Sequence, residues 1–376
     1  MFEDLRNRKT VSTLLTMLKN KCELLNKPIK IMEICGTHTV TAYRSGLSRA
    51  LSNIGIELIS GPGCPVCITP DGIVAAAIDL VTTQSNIILT SFGDMLRVPG
   101  SKGSLLTVCP AKGSSVKIIY SPEEILKLAE TNPAKMIIFL AVGFETTIPS
   151  IAYIIKEAQQ RNLKNFFIIS ALRLVPPPLE VILKSSNIKL NGFLYPGHVS
   201  VIIGTEPYEF VAKDYNLPGA ITGFEPADML LGIFDVLNQI VGKEAKVNNA
   251  YKRVVQREGN PKALNLIYEI FDTVDAEWRG FGFIPASGLQ LKKEYNMFSA
   301  SEKFSLNFDE GWGHEECLCG EVVKGAIVPE KCPLYKKVCT PENPHGPCMV
   351  SYEAISPFIN ALVFIFTPNA LFSFYV

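Results

Sequence analysis

The stretch Ile29-Lys-Ile-Met-Glu-Ile-Cys-Gly-Thr-His-Thr39 contains the pattern from which the fold of this chain follows. Its first six residues are mostly apolar and follow Pro28, which is typical of a short, largely buried strand. A loop with a thiol and an imidazole comes next, and a helical pattern covers 41–54. A strand, a loop with reactive side chains and a helix form the first half of a βαβ unit.

The same arrangement recurs along the next 200 residues. Alternation of short apolar runs with helical patterns predicts βαβ units and mostly parallel sheets. The runs predict strands at 29–34, 56–60, 87–91, 116–120, 136–142, 166–170, 193–195 and 220–222. The helical patterns lie near 41–54, 71–83, 122–131, 147–161, 178–186, 206–215 and 226–241.

These patterns predict an α/β protein with three domains. Eight strands fit two Rossmann-like parallel-sheet α/β domains, which we expect to face each other across a cleft, at 1–120 and 121–245. After 245 the alternation stops, and 246–275 has a helical pattern. A connector rich in Gly and Phe begins at Trp278 and leads to a cysteine-rich segment. We expect residues 246–376 to form a smaller, mostly helical and loop iron–sulfur domain.

Composition and charge exclude several classes of protein. The 376 residues are 47% hydrophobic and 19% charged, which fits a globular chain, and 36 basic residues balance 36 acidic ones. No basic run suggests a nucleic-acid surface. The charged N-terminus is unlike a signal peptide, so we expect a cytoplasmic protein with reduced thiols. The uncharged tail 354–376 is long enough for a membrane span, but its prolines and asparagines argue against one.

Candidate functional residues follow directly after the predicted strands. In open parallel sheets, ligands bind outside the carboxyl ends of the strands, so these loops should share one rim. The residues expected along it are Cys35, Thr37, His38, Cys64, Cys67, Asp94, Glu145 and His198. Glu145 has an alternative interpretation as a helix cap, and His198 as an ordinary loop histidine.

The Cys35-Gly-Thr-His38 loop places a thiol and an imidazole at a strand-to-helix turn. Backbone N–H groups at the start of a helix favour a thiolate. Cys35 could therefore be a hydrolase nucleophile assisted by His38, or a metal ligand. His38 could also be a structural histidine.

The Cys64-Pro-Val-Cys67 loop carries two thiols in a Cys-x-x-Cys arrangement before the helix predicted at 71–83. This spacing suits a redox dithiol or half of a zinc site. No second Cys-x-x-Cys lies nearby, which weakens the zinc interpretation. Two inert buried thiols are the third possibility, although the rigid Gly-Pro-Gly before Cys64 argues against it.

Five late cysteines occupy about thirty residues near the C-terminus. Zinc sites usually show two close pairs, and here only one pair is close, so a [4Fe–4S] cluster with four thiolate ligands is favoured over zinc. The candidates are Cys317, Cys319, Cys332, Cys339 and Cys348. Of the other cysteines, Cys22 lies on an apolar helix face and should be core, and Cys109 has no assignment.

The motifs together resemble one known family, the [NiFe]-hydrogenase maturation factor HypD family. They occur in order over about residues 30–351. They are Cys-Gly-Thr-His-Thr (35–39), Gly-Pro-Gly-Cys-Pro-Val-Cys (61–67), Gly-Phe-Glu-Thr-Thr (143–147), Pro-Gly-His-Val-Ser (196–200) and the late cysteine motifs (317–351).

The resemblance implies a scaffold on which the Fe(CN)2CO unit of the hydrogenase active site is assembled. It implies a small HypC-like chaperone and a HypE-like cyanide donor as partners. Cys35 would be a ligand or thiol at the iron, and His38 would assist there. Cys64 and Cys67 would be a thiol/disulfide pair linked to a [4Fe–4S] cluster. Such a protein is a redox-active scaffold more than an enzyme with free turnover; a free-standing iron–sulfur thiol/disulfide oxidoreductase is the alternative.

The chain departs from the family pattern after Cys348-Met-Val-Ser. Family members usually continue Ser-Glu-Gly-x-Cys, and here Ser356 stands where a sixth cysteine is expected. The apolar tail is also atypical. We therefore expect Cys317, Cys332, Cys339 and Cys348 as the cluster ligands, with Cys319 as the alternative.

Overall fold

The fold is known from a computed structural model, which describes residues 5, 7–185, 189–308 and 316–351. Ser356 and the apolar tail 354–376 therefore lie outside the described residues. All eight predicted strands are confirmed within a few residues, and three more follow them. The strands are β1 (Ile29–Glu33), β2 (Ile56–Ser60), β3 (Ile87–Ser91), β4 (Ser115–Ile118), β5 (Met136–Gly143), β6 (Phe166–Leu172), β7 (Gly192–Pro196), β8 (Gly219–Thr222), β9 (Val247–Asn249), β10 (Phe271–Trp278) and β11 (Gly282–Leu291).

The helices alternate with these strands as predicted, and this places the chain in the α/β class. The helical pattern predicted at 41–54 corresponds to two helices, and the first of them begins directly after Cys35. The α-helices are Arg8–Leu25, Gly36–Arg44, Leu47–Ser52, Asp71–Thr83, Gly93–Leu96, Glu123–Thr131, Ile148–Gln160, Pro177–Lys184, Gly197–Ile203, Glu209–Tyr215, Pro226–Gly242, Pro261–Ile270, Ala300–Phe304 and Cys319–Val323. None of the helices in the described part of the chain is long and apolar enough to cross a membrane.

Two parallel sheets carry the fold. The first has the strand order β2-β1-β7-β8-β9, and the second has the order β4-β3-β5-β6. In the first sheet, Ile31 on β1 is aligned with Leu58 on β2 and with Gly192 on β7. The carboxyl ends of β1, β2, β7 and β8 consequently lie side by side.

The strand pairing differs from the expected division of the chain at residue 120. Strands β1 and β2 belong to the same sheet as β7, β8 and β9, so the first α/β unit is discontinuous and the second is inserted into it. Alternation along the chain predicts that strands are parallel, but a crossover can lead to either sheet. The pattern of apolar runs therefore did not reveal which sheet each strand joins.

The expected helix over 246–275 is wrong in part. The segment contains β9, the helix Pro261–Ile270 and most of β10, which pairs antiparallel with β11. The helix begins at Asn260, whose side chain accepts a hydrogen bond from the Ala263 N–H. The β10–β11 hairpin is joined to the second sheet, since the Leu174 N–H donates to the Ser287 carbonyl oxygen at 2.9 Å.

A continuous core fills the space between the elements. One buried cluster contains Met32 and Phe193 of the first sheet, Leu89 and Leu140 of the second, and Cys348 from the end of the chain. Apolar burial of this kind supplies most of the driving force for folding. Cys22 lies in another buried cluster with Leu14 and Leu18, which confirms it as a core residue.

The late cysteine segment 316–351 consists of short helices and turns that pack against loops of both sheets. The Arg97 guanidinium, after β3, donates to the Pro341 carbonyl oxygen at 2.6 Å. Gly325, at a φ of 74°, lies so close to β2 that a Cβ there would be 2.8 Å from the Ser60 carbonyl oxygen. The segment is therefore brought to the strand ends where the early cysteines lie.

Candidate functional site

Cys35 lies at the junction between β1 and the helix Gly36–Arg44. Its backbone is extended, with φ at −152° and ψ at 123°, and it occupies the N-cap position of that helix. The side chain is almost fully buried. The start of a helix carries a partial positive charge, which suits a thiolate metal ligand at this position.

His198 supplies the imidazole that contacts Cys35. Its Nε2 lies 3.5 Å from the Cys35 Sγ, although 163 residues separate the two in sequence. The contact arises because β7 pairs with β1, with Leu194 beside Glu33, and His198 begins the helix after β7. Burial lowers the pKa of His198 to about 4, so the ring is neutral near pH 7 and can form a hydrogen bond with the thiol.

His38 is fully buried, and its Nε2 lies 3.1 Å from the Gly223 carbonyl oxygen after β8. Its Nδ1 has no hydrogen-bond partner. Burial, and to a smaller extent His198, lowers the pKa of His38 to about 3, so the ring is neutral and Nε2–H donates. His38 therefore ties the Cys35 helix to the β8 loop.

Phe224 lies against both imidazoles. Its ring centroid is 4.8 Å from that of His38 and 4.7 Å from that of His198, and both pairs are stacked. Sequence reasoning assigned this ring no role. The stacking holds His198 in the orientation that faces Cys35.

Glu33 is a buried carboxylate below Cys35 that sequence reasoning missed. Its Oε2 accepts a hydrogen bond from the Cys35 N–H at 2.9 Å, and its Oε1 accepts one from the Thr39 hydroxyl. Burial raises the pKa of Glu33 to about 7, although these hydrogen bonds oppose the rise. A single acidic residue within an apolar strand was the available signal.

The Cys-x-x-Cys loop presses against the backbone of Cys35. A Cβ at Gly63 would lie 2.5 Å from the Cys35 nitrogen, so only glycine fits there. The Cys64 and Cys67 sulfurs are 2.8 Å apart, and the Cys67 N–H donates to the Cys64 Sγ at 3.3 Å. Both cysteines are free thiols. This geometry suits a dithiol that can be oxidised to a disulfide.

The dithiol also touches the late cysteine segment. The Cys67 thiol contacts the Pro347 carbonyl oxygen at 3.4 Å, and the Cys348 N–H donates to the Cys319 Sγ at 3.2 Å. Burial, then Cys64, and then Cys319 and Cys348 raise the pKa of Cys67 well above its usual value. A cavity of about 30 Å³, lined by Cys64, Cys67 and Cys348 among others, lies between the two sets of thiols.

The remaining late cysteines surround a small apolar cluster of their own. Cys339 is buried with Leu334, Tyr335 and Met349, and Cys317 and Cys332 pack against them. Burial raises the pKa of Cys317 to about 11, with smaller contributions from Cys348, Cys332 and Cys339. Cys317, Cys332 and Cys339 thus share one apolar cluster.

A single metal ion and a [4Fe–4S] cluster require different arrangements of ligands. Among the described residues, no three His, Cys, Asp or Glu side chains converge closely enough to hold a metal ion. A [4Fe–4S] cluster takes its protein ligands as four separate cysteine thiolates, which need not meet at one point. The soft, loop-borne thiols of the late segment fit that requirement.

The other residues predicted along the rim occupy different positions. Glu145 is buried after β5, and both carboxylate oxygens lie within hydrogen-bond distance of the Val175 N–H, at 3.0 and 3.2 Å. Burial raises the pKa of Glu145 to about 7. Thr37 is partly buried in the first turn of the Cys35 helix. The site as described does not include Asp94, which is partly buried in the helix Gly93–Leu96.

Comparison with known proteins gives consistent matches over most of the chain. A family model, HypD, described as the hydrogenase formation hypA family, matches residues 9–357. Hydrogenase maturation factor HypD2 of Bradyrhizobium diazoefficiens is 41% identical over 87% of this chain and 87% of its own length. Hydrogenase maturation factor HypD of Rhodobacter capsulatus is 42% identical over the same shares. HypD of Escherichia coli is 37% identical over 93% of this chain and 95% of its own.

Proposed function

The chain belongs to the HypD family of hydrogenase maturation factors, and from this premise we propose that it is the scaffold on which the Fe(CN)2CO unit is assembled. The observation that carries the proposal is the contact between Cys35 and His198 at a helix N-terminus, where Gly63 of the Cys-x-x-Cys loop lies against the Cys35 backbone. In this proposal the iron unit is the cargo, and Cys35 is its thiolate ligand.

The surroundings of Cys35 support this role. A thiolate is a soft ligand that suits iron with strong-field ligands such as cyanide and CO. His198 is held within hydrogen-bond distance of the Cys35 sulfur, and the partial positive charge at the start of the helix favours the negative charge of a thiolate ligand. Glu33 fixes the Cys35 backbone through its 2.9 Å hydrogen bond. Burial keeps water away from a ligand set that reacts with oxygen and protons.

The two sets of cysteines have different redox roles in this proposal. We propose that Cys317, Cys332, Cys339 and Cys348 hold a [4Fe–4S] cluster, with Cys319 as the alternative to Cys348. A bound cluster supplies single electrons at low potential. Cys67 lies against Pro347, next to Cys348, so Cys64 and Cys67 are placed to receive two such electrons and two protons as their disulfide becomes a dithiol. Gly63, which precedes Cys64, lies against the Cys35 backbone, so these electrons would reach the loop beside the proposed iron site.

Maturation requires other proteins, since the finished iron unit must leave this chain for the hydrogenase. We propose a small HypC-like chaperone as the partner that shares the iron at Cys35, and a HypE-like protein as the cyanide donor. Cys35 is almost fully buried, so a partner that shares this ligand must contact the loops after β1 and β7.

Anaerobic co-expression of this chain with a HypC-like partner tests the proposal. Infrared spectra of the purified complex should contain stretching bands of CO and cyanide bound to iron. Cys35→Ser should remove these bands, while Cys109→Ser, at an exposed cysteine, should keep them. Bands of full intensity in Cys35→Ser would show that Cys35 is not the iron ligand.

A free-standing iron–sulfur thiol/disulfide oxidoreductase is the second candidate, and the 2.8 Å contact between the Cys64 and Cys67 sulfurs favours it. It predicts steady reduction of a small disulfide by this chain alone when electrons are supplied. The scaffold proposal predicts one reduction per chain unless the partner is present. Steady-state turnover assays with and without the partner separate the two.

A further inference from the structure

The turn between β10 and β11, residues Trp278–Gly282, bridges the two sets of thiols. This segment is the Gly- and Phe-rich connector whose composition gave no function. Its base is rigid: Trp278 is fully buried, its indole N–H donates to the Ser287 hydroxyl at 2.9 Å, and its ring stacks on Phe144 with centroids 5.9 Å apart. We call Trp278–Gly282 the bridging turn.

On one side, Arg279 holds the backbone that follows Cys67. Its N–H donates to the Ile68 carbonyl oxygen at 2.9 Å, and its Nε donates to the Thr69 carbonyl oxygen at 2.9 Å. Its Nη2 forms an ion pair with Asp71, whose side chain is only 9% exposed. Arg279 thus fixes the segment directly after Cys67 at three points.

On the other side, Gly280 touches the backbone beside Cys319. A Cβ on Gly280 would lie 2.4 Å from the Gly320 Cα, and a Cβ on Gly320 would lie 2.7 Å from the Gly280 Cα. Gly280 also has a φ of 84°, which favours glycine. The two backbones are therefore in direct contact, with no side chain between them.

We propose that the bridging turn sets the distance between the Cys64–Cys67 pair and the late cysteines, and that Arg279 and Gly280 are its positioning residues. The inference rests on the redox role in the proposed function. In the step concerned, the Cys64–Cys67 S–S bond breaks and each sulfur takes one electron and one proton. The electrons come from an external low-potential one-electron donor through the cluster proposed on the late cysteines, and the protons come from water.

Distance governs such a step because the rate of electron transfer falls steeply as the two redox groups move apart. A displacement of about 1 Å can change the rate of a reaction between positioned groups by up to ~10²-fold. The test is a rapid-mixing experiment on the full chain with its cluster loaded and Cys64–Cys67 oxidised. Dithionite is the donor. The readouts are the visible absorbance of the cluster and the number of new thiols at Cys64 and Cys67, counted by alkylation and mass spectrometry.

Gly280→Ala and Gly282→Ala form a matched pair of variants. Both glycines have positive φ, 84° and 74°, but a Cβ on Gly282 would meet no atom within 4 Å. Both substitutions impose backbone strain, and only Gly280→Ala pushes against Gly320. We expect Gly280→Ala to slow the appearance of thiols roughly tenfold or more, and Gly282→Ala to leave the rate within about twofold.

Arg279 gives an independent variant. Arg279→Ala leaves Asp71 without the guanidinium, so the fold itself can suffer. The double substitution Arg279→Gln with Asp71→Asn removes both charges together and should slow thiol formation to a similar extent as Gly280→Ala. Arg279→Lys keeps the ion pair with Asp71 but not the Nε bond to Thr69, and should fall between the double variant and the unaltered chain.

Three outcomes decide the inference. Slower thiol formation in Gly280→Ala, with an unchanged cluster absorbance and normal reduction of Cys64–Cys67 by dithiothreitol, supports it. Equal rates in Gly280→Ala and the unaltered chain, or equal slowing in Gly282→Ala, overturn it while leaving the proposed function intact. Failure of the unaltered chain to reduce Cys64–Cys67 through its cluster overturns the redox role and this inference together.

Discussion

The Sγ of Cys67 lies 3.4 Å from the carbonyl oxygen of Pro347, 280 residues further along the chain. This contact joins the Cys-x-x-Cys loop after β2 to the late cysteine segment. Because Gly63 of the same loop lies against the backbone of Cys35, one short segment touches both the proposed iron ligand and the proposed electron store.

Cys64→Ser should stop assembly of the iron unit and leave the cluster in place. Cys64 contacts Cys67 but is not among the proposed cluster ligands. We expect the infrared bands of the partner complex to disappear while the visible absorbance and iron content stay unchanged. Cys109→Ser serves as the control. Loss of the cluster absorbance in Cys64→Ser would mean that the two sites are not separate.

The two imidazoles should have separable roles. His38→Ala removes a buried hydrogen bond to the Gly223 carbonyl and should lower the free energy of unfolding by about 1–3 kcal/mol. His198→Ala should have a smaller effect on stability but remove most of the infrared intensity, because His198 contacts Cys35. Denaturant unfolding and infrared spectra measure the two effects. The opposite pattern would assign the role at the iron site to His38.

Glu145→Gln should change the dependence of stability on pH. The carboxyl has a pKa raised from 4.5 to about 7, so its contribution to stability is full below pH 4.5 and is lost as pH rises to 7. The glutamine does not titrate. The free energy of unfolding of the variant, relative to the unaltered chain, should therefore rise by about 3 kcal/mol between pH 4 and pH 8. A difference that stays constant with pH would contradict the raised pKa.

Gly63→Ala should disrupt the contact between the dithiol loop and Cys35. Its Cβ would fall 2.5 Å from Cys35 backbone atoms, which cannot move without shifting β1 and the following helix. We expect a loss of about 2 kcal/mol or more in the free energy of unfolding, and weaker infrared bands. Gly242→Ala is the matched control, because its Cβ would approach only the Glu244 side chain, at 3.9 Å. Equal stability of the two variants would show that the loop can move away from Cys35.

Much of the fold was predictable because the signals for it are local. A strand such as β5 is a run of consecutive apolar residues, and a helix such as Ile148–Gln160 repeats its apolar positions over a few turns. The antiparallel β10–β11 hairpin was missed because its burial pattern is irregular: the hairpin contains a register shift between Val274 and Ala276. An irregular strand does not produce a clean alternation of apolar residues.

By itself, the sequence determined the α/β class, the eight strands of the repeating pattern, and the reactive residues in the loops that follow them. Consecutive residues carry that information. Only the tertiary structure decided that β7 lies beside β1, that His198 therefore meets Cys35, and that Cys67 meets the late segment. These contacts depend on which sheet each strand joins and on the close packing of glycine backbones such as Gly63 and Gly280. Strand pairing and close backbone packing are long-range features, and no local sequence pattern contains them.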